Sequence, residues 1–219
     1  MESEQSLEER EMYRREAMGA FAHEIRTPLT SIRMVIELAR RQAKDGQMVL
    51  DPELSGMLNQ SVDDLQALAD DLQEASRIER GKVVLSRGPC ELGAAVDAAR
   101  ELLQPSIAIE GKLPAGIEGP WDVPHLVRAI AGMAEAANRA GDGSGVVKFT
   151  FRAEPGWVRL CFSSGVPGDE EKPIAADAGY AFFRARAFLL AMGGAVAWRR
   201  GNRYLDLDVA LPRDPGVTG

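Results

Sequence analysis

From Phe21 onward, apolar side chains recur every three or four positions: Phe21, Ile25, Leu29, Ile32 and Ile36. At 100° per residue they form one narrow stripe, the face that a bundle helix buries. Ser6-Leu7-Glu8-Glu9 has the form of a capping box and starts this helix. Lys44-Asp45-Gly46-Gln47 breaks it, which predicts ~38 residues, or roughly 57 Å. Asp51-Pro52 then offers an N-cap and a proline at the first helical position. Leu54, Leu58, Leu65, Leu68 and Leu72 mark the stripe of a second helix, ending near Arg80 with Gly81 as its cap. One hairpin buries little apolar surface. Two copies joined in a four-helix bundle would cover both stripes; packing against the rest of the chain is the alternative. Asp63, Asp64, Asp70, Asp71 and Glu74 read as the solvated face of the second helix.

Past Gly81 the period changes. Lys82 to Leu85 reads as a strand, Glu91 to Leu103 as a helix stopped by Pro105, and Ile107 to Ile109 as a short strand. Asp122 caps a helix that reaches Ala140. Val146 to Phe151 and Val158 to Phe162 alternate with period two around Glu154-Pro155-Gly156, a hairpin signal. Gly179 to Met192 is a further helix. Ala195 to Arg199 and Tyr204 to Leu211 pair around Gly201-Asn202. About three helices against a five- or six-stranded mixed sheet make a two-layer α/β sandwich. The expected organisation is a helical hairpin over 1–81, an α/β domain over 82–212 and a flexible tail over 213–219.

Composition narrows the class. The 219 residues are 45% hydrophobic and 27% charged, enough to bury a core. A net charge of −7 argues against a general nucleic-acid binder. Cys90 and Cys161 have no metal-ligand spacing and suggest no disulfide framework, which fits a reducing cytoplasm. No apolar run is long enough to span a membrane, and no signal peptide is evident. A sensor for a membrane signal would then lie on another chain or on a removed segment.

Candidate chemistry centres on His23, one of two histidines. It lies opposite the apolar stripe, with Thr27 one turn on and Thr30 and Met34 close by, so it faces solvent or a partner. A neutral imidazole, with an ordinary pKa of about 6.5, is a competent nucleophile near neutral pH. Glu24 is placed to hold the ring or accept its proton. Pro28 removes one helix hydrogen bond and is expected to bend the helix past the histidine. A zincin site is excluded, since Thr27 stands where the second histidine belongs. The other histidine, His125, follows Pro124 at a helix start and reads as structural or surface.

Phe21-Ala22-His23-Glu24-Ile25-Arg26-Thr27-Pro28-Leu29-Thr30 resembles the H-box of the two-component sensor histidine kinases. Asp70-Asp71-Leu72 and Ser76-Arg77-Ile78-Glu79-Arg80-Gly81 resemble that family's second-helix ending. The resemblance implies a dimerisation and histidine-phosphotransfer hairpin. His23 would carry a phosphoryl group exchanged with a receiver-domain aspartate, Glu24 would assist, and Thr27 would orient water for dephosphorylating the receiver. Arg26, Thr30, Arg33 and Met34 are the candidate contacts for the receiver.

The element order over 82–211 resembles the family's ATP-binding domain, but its boxes are altered. The magnesium-holding asparagine falls at Ala136 and the earlier asparagine at Gly132. The adenine-reading aspartate falls at Ser163, followed by Gly165, with Pro167 in place of a second glycine. The phosphate-cradling Gly-x-Gly is reduced to Gly179 and Ala181. About ten residues separate Gly168 from Gly179, too few for a long mobile lid. The expectation is a dimeric phosphotransfer protein with a degenerate nucleotide site. It would bind no metal of its own, need no ATP, and take magnesium from its response-regulator partner. A divergent kinase, a receiver phosphatase acting through Thr27 and a non-enzymatic receiver-binding scaffold are the competing readings.

Overall fold

The computed structural model describes residues 2–43, 47–48, 50–82, 84–113, 115–166, 174–201 and 204–213. The chain divides into two compact units, Met1–Glu74 and Ala75–Gly219.

The first unit is built on α1 (Glu2–Arg41) and on α2 (Pro52–Glu79), whose last residues fall beyond the division. Asp51 caps α2 as expected: its Oδ1 accepts from Leu54 N at 2.8 Å. Gly81, at φ 64°, closes α2, with Gly81 N donating to Ile78 O and Lys82 N to Arg77 O. That paired geometry needs a left-handed residue, which glycine adopts without strain. Near the turn, Val35 and Ala39 pack with Leu54, and Leu38, Met57 and Leu58 close around them.

The predicted apolar stripe of α1 is split. Phe21 is buried and Ile25 and Ile32 are half-buried, but Leu29 and Ile36 are exposed, as is Met18. Pro28, Val35 and Ala39 are the buried positions further along. A single facing helix covers only part of a broad apolar arc, so the remainder stays open. On α2, Asp63, Asp64 and Asp70 are solvated, but Asp71 turns inward and is buried.

The second unit contains β1 (Gly88–Glu91), α3 (Leu92–Leu102), β2 (Ala108–Glu110), β3 (Glu118–Trp121), α4 (Val123–Ala140), β4 (Val146–Glu154), β5 (Trp157–Gly165), α5 (Ile174–Ala191), β6 (Ala195–Gly201) and β7 (Tyr204–Pro212). Five strands form one sheet in the order β2-β4-β5-β7-β6. The β2–β4 pair is parallel and the other pairs are antiparallel. Val147, Phe149, Val158, Leu160, Phe162, Leu205, Leu207 and Val209 are buried and alternate with more exposed residues. One face of the sheet is therefore covered by the helix layer, in which α4 packs between α3 and α5.

The predicted strand at Lys82–Leu85 is absent from its described residues, and Val84 is 94% exposed. Instead β1 and β3 form a two-stranded antiparallel ribbon with Pro89 opposite Pro120. Prolines are tolerated there because no central ladder needs their missing N–H. The ribbon ends at Trp121, which is fully buried and donates its indole N–H to Pro212 O at 2.7 Å. The expected short lid falls mostly on 167–173 and the expected tail mostly on 214–219, outside the described residues.

Candidate phospho-acceptor site

The H-box lies within α1, which continues through Pro28 as one helix. His23, Thr27, Thr30 and Met34 are all exposed, Met34 to 46%. At 100° per residue they span about 60° of helix surface, opposite Phe21, Pro28, Val35 and Ala39. Arg26 and Arg33 are exposed along one edge of this face, and Glu24 is half-buried beside it. Thr30 Oγ1 donates to the Arg26 carbonyl at 2.7 Å, so its proton is committed within the helix. All seven candidates thus lie on one stretch of helix. The accessible imidazole of His23 can attack an electrophile presented from solvent, and Arg26 is exposed at the edge of the same face.

The altered boxes of the second unit come from three elements. Ala136 on α4 is fully buried, and its methyl offers no oxygen to a hard cation. A Cβ at Gly132 would sit 3.0 Å from both Ala181 O and Ala185 Cβ, so this position serves close packing of α4 on α5. Neighbouring polar side chains are engaged elsewhere. Glu135 lies 3.9 Å from Arg184, and Asn138 Oδ1 accepts from Gly145 N at 2.8 Å. Gly179 has φ 73° and ψ −178°, a backbone state that favours glycine, and it separates two helical pieces within α5. Tyr180 and Phe182 beside it are buried.

Strand phase revises the role of Ser163. Its hydroxyl donates to Asp206 Oδ1 at 2.6 Å, on the face of the sheet away from the helices. Ser164, in phase with buried Phe162, is the serine on the helix side. It lies against Gly141 and 3.5 Å from Asp142 Oδ1. Asp142 also crowds the position a side chain would take at Gly165. The alternation Val158, Leu160, Phe162 was the signal that could have selected Ser164 in the sequence.

Neither cysteine is primed to react. Burial, opposed by the Ser163 hydrogen bond and reinforced by Asp206 and Asp208, pushes the Cys161 thiol up to about 11. Burial, with Glu91 adding to it, also raises Cys90. His125 is structural: its Nδ1 is 2.7 Å from Asp122 Oδ1 and its ring meets Phe188 edge-on.

A helical hairpin with an exposed H-box histidine, and an α/β sandwich after it in the chain, is the architecture found in histidine kinases. Residues 13–81 match the family of the His Kinase A (phospho-acceptor) domain. The signal transduction histidine-protein kinase BaeS of Escherichia coli (strain K12) is 27% identical over 168 residues, which cover 74% of this chain and 35% of BaeS. The chain thus spans about a third of that relative's length. The Acinetobacter baumannii histidine kinase AdeS has the same fold, with TM-score 0.71 at 18% identity over 88% of this chain and 98% of that one. Histidine kinase ThkA, solved in complex with response regulator protein TrrA, gives TM-score 0.58 at 18% identity over 98% of this chain and 66% of that one. Residues 13–81 thus match a His Kinase A (phospho-acceptor) domain, and the chain is similar to two-component histidine kinases in sequence and in fold. Among the described residues, no helix is long and apolar enough to cross a membrane.

Proposed function

We propose that this chain exchanges a phosphoryl group between His23 and the aspartate of a response-regulator receiver domain, without binding ATP in the family's manner. The observation that carries the reading is a contrast. His23 stands exposed on a face shared with Thr27, Thr30 and Met34, whereas Ala136 is a fully buried methyl at the magnesium-ligand position. The residues at the nucleotide position do not fit a magnesium-nucleotide: Ala136 offers no oxygen ligand and Gly132 is taken up in packing against α5.

In the loading direction, an imidazole nitrogen attacks the phosphorus of an aspartyl phosphate. The N–P bond forms as the O–P bond breaks and the carboxylate leaves. The other ring nitrogen can release its proton toward Glu24 or water. Phosphoryl transfer is chiefly positioning and charge stabilisation, so an accessible ring with Arg26 at the edge of its face suffices on this side. The receiver's own pocket would supply the magnesium. Exposed Met18, Leu29, Ile36 and Val62 support a homodimer that buries them in a four-helix bundle. A cytoplasmic location fits a partner of this kind.

The test is incubation with γ-labelled ATP and magnesium, then with phosphorylated receivers, with His23→Gln as control. Label arriving on His23 from a receiver but not from ATP is the expected result. Acid-labile label from ATP on wild type alone would establish a divergent kinase instead. A second reading, receiver phosphatase, rests on Thr27, exposed one turn from His23. Under it, Thr27→Ala slows loss of receiver phosphate while His23 still labels. Equal rates in mutant and wild type would remove it. A scaffold reading predicts intact signalling in His23→Ala.

A further inference from the structure

The Thr30 hydroxyl does not behave as a free docking group. It donates to the Arg26 carbonyl at 2.7 Å, within an exposed stretch of α1. The peptide unit whose oxygen it holds is the one whose nitrogen belongs to Thr27. In an α-helix that N–H points at the carbonyl of the residue four positions earlier, which is His23. One line therefore runs from the Thr30 hydroxyl through the peptide joining Arg26 and Thr27 to the backbone of His23. Pro28 lies inside this turn. It brings no N–H to the helix ladder, so this turn lacks the bond that would reach the Glu24 carbonyl. Carbonyls on the solvent side of a helix tilt outward toward water, and a threonine back-bond restrains such a tilt while itself bending the helix slightly.

We infer that Thr30 is a positioning residue. Its back-bond fixes the peptide between Arg26 and Thr27, and through it the backbone that carries His23, across the turn that Pro28 leaves one bond short. The inference rests on His23 being the phosphoryl acceptor. It differs from a docking role for Thr30 because the hydroxyl acts inside the chain and the partner need not touch it.

Two near-isosteric variants separate these roles. Thr30→Val keeps the shape and removes the donor. Thr30→Ser keeps the donor and removes the methyl. The full chain is phosphorylated on His23 with phosphoramidate, which needs no nucleotide. It is then mixed with purified receiver domains at increasing concentration, and the rate of label transfer is followed. Thr30→Val is expected to lower kcat roughly three- to tenfold, the scale of one lost hydrogen bond, with KM unchanged. Thr30→Ser is expected to restore kcat. The inference is overturned if Thr30→Val transfers as fast as wild type, or if Thr30→Ser is the impaired variant and its defect lies in KM. If wild type passes label to no receiver, the proposed function falls and this inference falls with it. Circular dichroism of each variant guards against unfolding as the cause.

Discussion

Replacing Asp122 by alanine tests how the second unit is held together. Its carboxylate is 3% exposed and serves three groups. Oδ1 accepts from His125 N at 3.2 Å, which caps α4, and lies 2.7 Å from His125 Nδ1. Oδ2 accepts from Ser86 N at 2.7 Å, tying the segment before β1 to the start of α4. Losing an N-cap costs about 1 kcal/mol, and hydrogen bonds to a charged group contribute about 1.5–3 kcal/mol each. These terms overlap, because all three partners share one carboxylate, so the expected loss is about 3 kcal/mol. Asp122→Asn keeps a good cap and should lose about 1 kcal/mol. Trp121, Trp157 and Trp198 all lie in the second unit, so tryptophan fluorescence during urea unfolding reports on that unit alone. Burial by itself would raise the Asp122 carboxyl, but hydrogen bonds from the His125 side chain and from His125 N and Ser86 N hold it below its ordinary value. Its contribution is therefore present above the unfolded value, about 3.9, and fades as pH falls through the lower folded one. Asp122→Asn should flatten the acid limb of the stability profile. A loss under about 0.5 kcal/mol in Asp122→Ala would refute this account of the cap and its ties.

Gly179→Ala must place a side chain at φ 73° and should destabilise the second unit by about 1–3 kcal/mol, seen in the same urea transition. A change below that range would mean the break in α5 relaxes freely. Gly132→Leu forces apart α4 and α5, where Ala181 O and Ala185 Cβ leave 3.0 Å even for a Cβ; the expected loss is about 3 kcal/mol, with the midpoint falling in a thermal melt. Leu29→Glu together with Ile36→Glu places two charges on the open apolar flank of α1. Sedimentation should show a dimer becoming a monomer, and an unchanged dimer would place the interface elsewhere.

How much of this was legible depended on how local each signal is. The cap at Asp122 and the end at Ala140 give α4 from one short stretch, because both signals are carried by the helix itself. The H-box was legible for the same reason: His23 through Met34 are consecutive turns of one helix. β1 and β3 were not, since Gly88-Pro89 and Gly119-Pro120 suppress any strand signal and each exists only through the other. The α1 stripe was visible as apolar, but its periodicity could not say that α2 takes Val35 and Ala39 while Leu29 and Ile36 stay open. Ser163 was singled out by its spacing to Gly165. The alternation of β5, which puts Ser164 on the helix side, was available in the same residues.

Under the proposed function, the same difference in locality explains how one chain could keep acceptor chemistry while its nucleotide site changed. Nucleophilic transfer at His23 needs an accessible ring and a few neighbours on one helix face, and every residue required lies within four turns of α1. A magnesium-nucleotide site needs α4, β5 and α5 to deliver oxygen ligands and bare backbone to one place. Here each contributor has taken up a packing task instead. Ala136 is buried, Gly132 seats α5, and Ser164 lies under Asp142. Once such positions close-pack, restoring one family residue inserts a polar group into a space already filled, and burying it without partners costs more than a single regained ligand returns. Under that proposal, once one position close-packs the others matter less for nucleotide binding, while the packing at Ala136 and Gly132 continues to hold the fold. The acceptor helix lies in the other compact unit and bears none of that cost.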